Sequence, residues 1–165
     1  MSLINTERAF LRRMTIEDFQ NMRILESDPD IMKFTPSKIP QSENETFNRV
    51  KSQIQKQFEF EPFGIWIAQL HLDHSFVGWF MLIPKEINQL ELGYMISRQY
   101  WNKGLATEIC KSLIDYSKKY PQYKNIVAKT NTDNEASIKV LEKIGFVFKE
   151  MMTCPSELKV FQFNL

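Results

Sequence analysis

Cysteine is scarce in this chain: its 165 residues hold two, Cys110 and Cys154. Two cysteines do not make a disulfide framework, and Cys110 falls on an apolar helix stripe. A reducing, cytoplasmic setting is expected. Charge of one sign is also missing. The net charge of +1 excludes the basic field that holds nucleic acid or an anionic membrane, so neither is an expected partner. No apolar run approaches the roughly 20 residues of a membrane span. Residues Met1 to Arg8 lack the apolar core and cleavage site of a secretory signal. Repeats, low-complexity tracts and long linkers are absent. His71 and His74 are the only histidines. They fall in a hairpin loop with no further ligand to complete a set, so no metal is expected. Neither phosphate fingerprint, Gly-x4-Gly-Lys-Ser/Thr or Gly-x-Gly-x-x-Gly, occurs.

What is present is enough for one domain, residues 1–165, with a sizeable core. The apolar fraction is 43% and the charged fraction 25%, ordinary for a globular protein. Thirteen phenylalanines suggest a large core or an aromatic-lined pocket.

Arg8 to Arg13 reads as a short strand. Thr15 to Asp18 has the capping-box form, with Phe19, Met22 and Leu25 following at helical spacing. Asp28-Pro29 stops that helix, and Ser27 to Gln41, with three prolines, reads as a loop. Ser42 to Glu45 is a second capping box, and Phe47, Val50, Ile54 and Phe58 form the expected core stripe of its helix. Phe63–Leu70 and Phe76–Ile83 read as a hairpin. Leu90, Leu92, Tyr94 and Ile96 alternate as the buried face of a strand, which places Glu91, Gly93 and Met95 on the other face. A helix is expected from about Gly104 to Lys119, then a strand over Lys124–Thr130. Thr132 to Glu135 reads as a third capping box, and its helix stops at Gly145. Two strands finish the chain. The order β-α-α-β-β-β-α-β-α-β-β, with a helical crossover between Leu90–Ile96 and Lys124–Thr130, implies a mixed α/β (α+β) fold. One parallel pair sits in a mostly antiparallel sheet.

The segment from Gln89 to Glu108 carries most of the functional information. A strand runs into a short loop, Trp101-Asn-Lys-Gly-Leu-Ala106, which opens directly into a helix. Unpaired N–H groups and the positive helix end make that start a site for phosphate, or it is an ordinary turn. Asn102 is the non-glycine type that best tolerates a left-handed conformation. Glu91 is either a solvent-facing carboxylate or a base beside the anion site, and Gly93 on its face leaves room for a ligand. Asn131, Asn134 and Ser137, three apart, read either as helix capping or as part of the same site.

Four segments together resemble the GNAT superfamily of acetyl-CoA-dependent N-acetyltransferases. They are Glu91-Leu-Gly-Tyr-Met-Ile96, Trp101-Asn-Lys-Gly-Leu-Ala-Thr-Glu108, Asn131 with Asn134 and Ser137, and Leu141-Glu-Lys-Ile-Gly-Phe146. The branch they resemble most contains ribosomal-protein N-terminal alanine and serine acetyltransferases. The resemblance implies a sheet splayed at its parallel pair around acetyl-CoA, with helices on both faces. It implies that the backbone of Met95 and Ile96 pairs with the pantetheine arm. N–H groups of Asn102, Lys103, Gly104, Leu105, Ala106 and Thr107 would hold the pyrophosphate, with Trp101 beside them, and Asn131 and Asn134 would also contact the cofactor. Two departures from the common pattern stand out. Trp101 and Asn102 stand where the loop usually has Gln or Arg and then glycine. Leu141 stands where many members carry a tyrosine acid, whereas Ser137 matches the serine of the ribosomal-type branch.

The expected chemistry is direct transfer of acetyl to a primary amine. Glu91 would accept the amine proton through water, strand N–H groups would polarise the thioester carbonyl, and Ser137 would protonate the departing thiolate. The acceptor would be a protein N-terminus or a small molecule such as a polyamine, amino acid or antibiotic amine, shaped by the Ser27–Gln41 loop with Phe34. A non-catalytic acyl-CoA-binding module is the rival from another class. A monomer or homodimer is expected.

Overall fold

A computed structural model describes residues 4–153 and 157–165; Cys154 lies outside them. Its frame is one eight-stranded sheet in the order β1-β2-β3-β4-β5-β6-β8-β7. The strands are β1 (Ile4–Asn5), β2 (Ala9–Arg13), β3 (Gly64–Leu70), β4 (Phe76–Glu86), β5 (Gln89–Ile96), β6 (Asn125–Asn131), β7 (Val147–Met152) and β8 (Leu158–Asn164). Every pairing is antiparallel except β5 with β6. The parallel pair is the one implied by the helical crossover, because α4 (Leu105–Ser117) carries the chain back to the start of the sheet.

Strand alternation sorts the side chains into two cores. Trp66, Ala68, Leu82, Leu90, Leu92 and Ile96 face α4 and α5 (Glu135–Lys143), joined by Ile109, Leu113 and Leu141. Ile65, Ile67 and Phe76 face the other way, onto Met22 and Leu25 of α1 (Phe19–Glu26) and Val50 of α3 (Glu43–Gln57). Helices therefore cover both faces. Tyr94 packs against the first core and Met95 against the second, as the period of two requires.

Local signals fix most boundaries. Ser42 caps α3 through a full capping box with Glu45. Gly145, at φ +97°, ends α5. There the Phe146 N–H bonds to the Leu141 carbonyl and the Gly145 N–H to the Glu142 carbonyl, each at 3.0 Å, the double closure that satisfies a helix end.

Four expectations change. The proline-rich stretch after α1 is not all loop: α2 (Pro29–Met32) lies within it. Asp28 caps it and Pro29 starts it, since a first-turn residue needs no N–H and proline already has helical φ. The third capping box does not form at Thr132; Asn134 is the cap of α5, accepting from the Ser137 N–H. The α3 core stripe is rotated. Thr46, Val50 and Gln57 are buried while Phe47 and Phe58 are exposed. Phe47 packs edge-on against Phe19 of α1 instead, at 5.6 Å between centroids. Finally β1 is an additional strand, too short to show a period.

Candidate active site

The site begins where β5 and β6 part. Their parallel register runs from Gln89 opposite Asn125 to Leu92 opposite Ala128 and stops there. Both strands continue, β5 to Ile96 and β6 to Asn131. Each is still held on its outer side, β5 by β4 and β6 by β8. A wedge therefore opens within the sheet, with strand-edge backbone of residues 93–96 along one side.

Beyond β5 a single 3-10 turn, Arg98–Tyr100, leads into the key loop. Asn102 sits at φ 58° and Gly104 at φ 78°, both left-handed. Asparagine and glycine are the types that tolerate this at least cost. Gly104 is the cap residue of α4. A β-carbon placed there would meet only the Arg8 guanidinium, at 3.5 Å, so the space in front of the helix start is open. The first N–H groups of α4 face that space without helical partners. Leu105 itself is buried in the core.

Long-range contacts hold this loop. Arg8 donates from Nη1 to the Lys103 carbonyl at 2.9 Å and from Nε to Glu108 at 2.7 Å. Glu108 also accepts from the Thr6 hydroxyl and the Arg8 N–H. Burial alone would raise the Glu108 carboxyl, but these donors outweigh it and hold it below the usual carboxylate range. The Trp101 indole turns back and donates to the Ile96 carbonyl at 2.8 Å. The Lys103 ammonium lies over the Tyr100 ring, 5.6 Å from its centroid.

Glu91 occupies the last paired stretch before the wedge. Lys85 of β4 approaches its Oε2 to 3.2 Å and Lys129 of β6 to 3.7 Å. Oε2 is buried, yet no donor among the described residues is aligned for a hydrogen bond. The room expected above Gly93 is already filled. A β-carbon there would lie 2.7 Å from the end of the Met81 side chain.

On the other face, the Tyr94 hydroxyl donates to Ser137 Oγ across the wedge at 3.2 Å. The Tyr94 ring stacks on Phe80, 5.6 Å between centroids. Burial, with the Cys110 thiol nearby, pushes the Tyr94 pKa well above the usual phenol range, so the group stays a donor. Asn134 and Asn131 spend their carbonyl oxygens on the N–H groups of Ser137 and Asp133. Their amide NH2 groups have no partner among the described residues.

The structure thus brings Glu91, the Trp101–Thr107 loop, Asn131, Asn134 and Ser137 around one opening, with Glu91 and Ser137 on opposite sheet faces. Sequence reasoning missed Arg8, Thr6, Lys85, Lys129 and Tyr94. Tyr94 carried a weak signal, a polar tip on an otherwise apolar strand face. The others act across more than thirty positions of chain, or by cross-strand register, and left no local sign. Among the described residues no helix is long and apolar enough to cross a membrane. His71 and His74 both pack on the Phe10 ring.

A strand pair splayed beside a left-handed loop and a helix start is the frame of an acyl-CoA-dependent acetyltransferase. The chain belongs to the acetyltransferase (GNAT) domain family, whose model matches residues 8–147. It is 29% identical over 149 residues to the YkkB protein of Bacillus subtilis strain 168, covering 88% of this chain and 85% of that one. Its fold matches the Salmonella typhimurium acetyltransferase that modifies the N-terminal serine of ribosomal protein L7/L12. There the TM-score is 0.84 at 14% identity, over 99% of both chains. It also matches the microcin C7 self-immunity acetyltransferase MccE, solved with acetyl-CoA and AMP, with a TM-score of 0.83 at 13% identity, covering 98% of this chain and 94% of that one. At these identities the two structural likenesses concern the fold.

Proposed function

We propose that residues 1–165 form one catalytic domain that moves acetyl from acetyl-CoA to a primary amine by direct attack. The observation that carries this reading is the wedge, with a carboxylate on one face and a hydroxyl on the other. The chain offers acetyl-CoA a fitting cradle. It has free strand edge at Ile96 for a pantetheine amide and open N–H groups from Asn102 to Thr107 for the pyrophosphate, whereas Met95, expected to share that role, turns its backbone groups to Trp79 of β4, in step with the Ser97 N–H that bonds to the Val77 carbonyl. The amide hydrogens of Asn131 and Asn134 remain unused. One lone pair of the Ile96 carbonyl is taken by Trp101, which leaves its second for the cofactor. Acetyl-CoA supplies the activated acetyl group.

The protein's own residues then do three things. Glu91 takes a proton through water from an amine arriving on the α1–α3 face, since an ammonium cannot attack. Strand N–H groups of β5 stabilise the oxyanion that develops on the acetyl carbonyl. Ser137, held by Tyr94, passes its hydroxyl proton to the departing thiolate on the opposite face, and the second proton shed by the amine nitrogen as the amide forms returns to Ser137 through water. No covalent enzyme intermediate is needed. Buried Cys110 is also unsuited to one, because burial raises its thiol pKa well above the usual range. Ser137, which matches the serine of the ribosomal-type branch, favours a protein N-terminus as acceptor.

The test is thiol release from acetyl-CoA across N-terminal Ala and Ser peptides, polyamines and amino sugars. Release with at least one amine is expected. Glu91→Gln should lower kcat with little change in acetyl-CoA affinity, and unchanged turnover would remove Glu91 from the role. Acetyl-CoA binding without thiol release from any amine would leave a binding module instead.

A further inference from the structure

A pocket of about 380 Å³ lies at the far end of β6, lined by Lys33, Phe34, Lys38, Asn131 and Asp133. Its place in the fold connects it to the chemistry. Glu91 stands opposite Val127 in the parallel register, so these two share a sheet face, and Lys129 and Asn131 follow on that face by alternation. The pocket therefore opens on the Glu91 side of the wedge, just past the point where β5 and β6 separate.

Its outer wall is the segment that follows α2. Arg98, just beyond β5, reaches Asp30 at 2.8 Å and Asp28 at 3.7 Å. Those contacts tie α2 and its cap residue Asp28 to the end of β5. Lys33 keeps a surface pair with Asp30 at 3.3 Å, an interaction of little worth. Lys38 has no ion-pair partner among the described residues, and its backbone is held in the left-handed region at φ 57°. A lysine kept in that conformation is strained. The rim then carries two ammonium groups against one carboxylate, Asp133. Phe34 supplies an apolar side, with the Lys33 ammonium 5.0 Å from its ring centroid.

We propose that this pocket selects acceptors bearing a carboxylate or phosphate close to the primary amine, with the anion lying against Lys33 and Lys38. The inference rests on the acetyltransferase reading, with the amine entering on the Glu91 face. Charge of this kind discriminates by attraction and by repulsion. It favours an anionic amine, and it disfavours polyamines and Lys-rich N-termini.

The experiment measures kcat/KM by thiol release with acceptors matched in all but charge. One arm compares peptides beginning Ser-Glu-Glu, Ser-Gln-Gln and Ser-Lys-Lys. The other compares free glutamate with its diamide. The acidic member should lead its neutral match by about two- to fivefold for each lysine engaged, and the lead should shrink at high salt. Lys38→Glu should collapse the lead and move the preference toward the basic peptide. A lead in the peptide arm alone assigns an acidic protein N-terminus, and one in the other arm alone assigns a small amino acid. Equal rates for charged and neutral acceptors in both arms would overturn the proposal while leaving the transferase intact. So would a lead that survives Lys38→Glu unchanged. Bound acetyl-CoA with no thiol release from any amine would overturn the transferase reading and this inference together.

Discussion

Tyr94→Phe removes one oxygen atom and one hydrogen bond, and leaves the ring stacked on Phe80 in place. The lost bond runs to Ser137 Oγ at 3.2 Å, long for a hydroxyl pair. Its contribution to stability should lie in the lower half of the usual range, about 0.5–1 kcal/mol. For a domain of this size that is a fall in melting temperature of roughly 1–4 °C. If Ser137 is the acid, losing the group that orients it should raise the barrier by a similar amount, lowering kcat about two- to fivefold. Ser137→Ala removes the acid itself and should cost about a hundredfold. Thiol release at saturating acetyl-CoA gives kcat for the two single variants and for the double. Acting through one group, the two changes must not add, so the double variant should match Ser137→Ala. A Tyr94→Phe enzyme with wild-type kcat, beside a crippled Ser137→Ala, would show that Tyr94 only packs. A full additional loss in the double variant would also refute the arrangement.

Gly104→Asp should abolish acetyl-CoA binding, since it sets a side chain and a negative charge in front of the α4 N-terminus at φ 78°; intact binding by calorimetry would sink the loop assignment. Arg8→Ala removes the tether to Lys103 but leaves Glu108 its Thr6 and backbone partners. Acetyl-CoA affinity should fall about threefold to tenfold with the melting temperature nearly unchanged, as expected of a largely exposed pair, and unaltered affinity would make the tether irrelevant. Asp18→Asn breaks a buried ion pair with Arg12 at 2.7 Å and should destabilise by about 3 kcal/mol, read by urea unfolding. Burial alone would raise Asp18, but Arg12, Thr15 and Asn21 outweigh it and hold its carboxyl below the usual range. A depressed carboxyl stabilises above its unfolded pKa of about 3.9, and that stability drains away as pH falls through the lower folded value. The Asp18→Asn variant should therefore show a shallower loss of stability in that acid window than the wild type, and equal slopes would contradict the pairing.

Much was legible along the chain because the signals are local. The alternation from Leu90 to Ile96 depends on a strand period of two, and the Gly145 stop on one left-handed residue. The capping box at Ser42 and the loop composition from Trp101 to Ala106 are equally self-contained. These set the element order, the parallel pair and the family resemblance, and the fold agrees with them. Errors arose where neighbours decide. Phe47 and Phe58 are apolar at helical spacing, yet the sheet meets α3 on the face of Val50 and leaves both exposed. Gly93 has no side chain, but Met81 from the next strand fills its space. Asn134 rather than Thr132 caps α5, because the chain leaves β6 along a path that four similar polar residues cannot reveal.

The sequence by itself determined the strand–loop–helix from Gln89 to Glu108, the carboxylate on β5 and the serine on α5, since each follows from short-range pattern. The tertiary structure alone decided that the ladder parts after Leu92, that Tyr94 reaches Ser137, that two lysines flank Glu91 and that Lys33 and Lys38 wall a pocket on its face. The physical reason is separation along the chain. Such contacts join segments tens of residues apart, and their formation depends on packing and register, which one sequence encodes only through the whole fold.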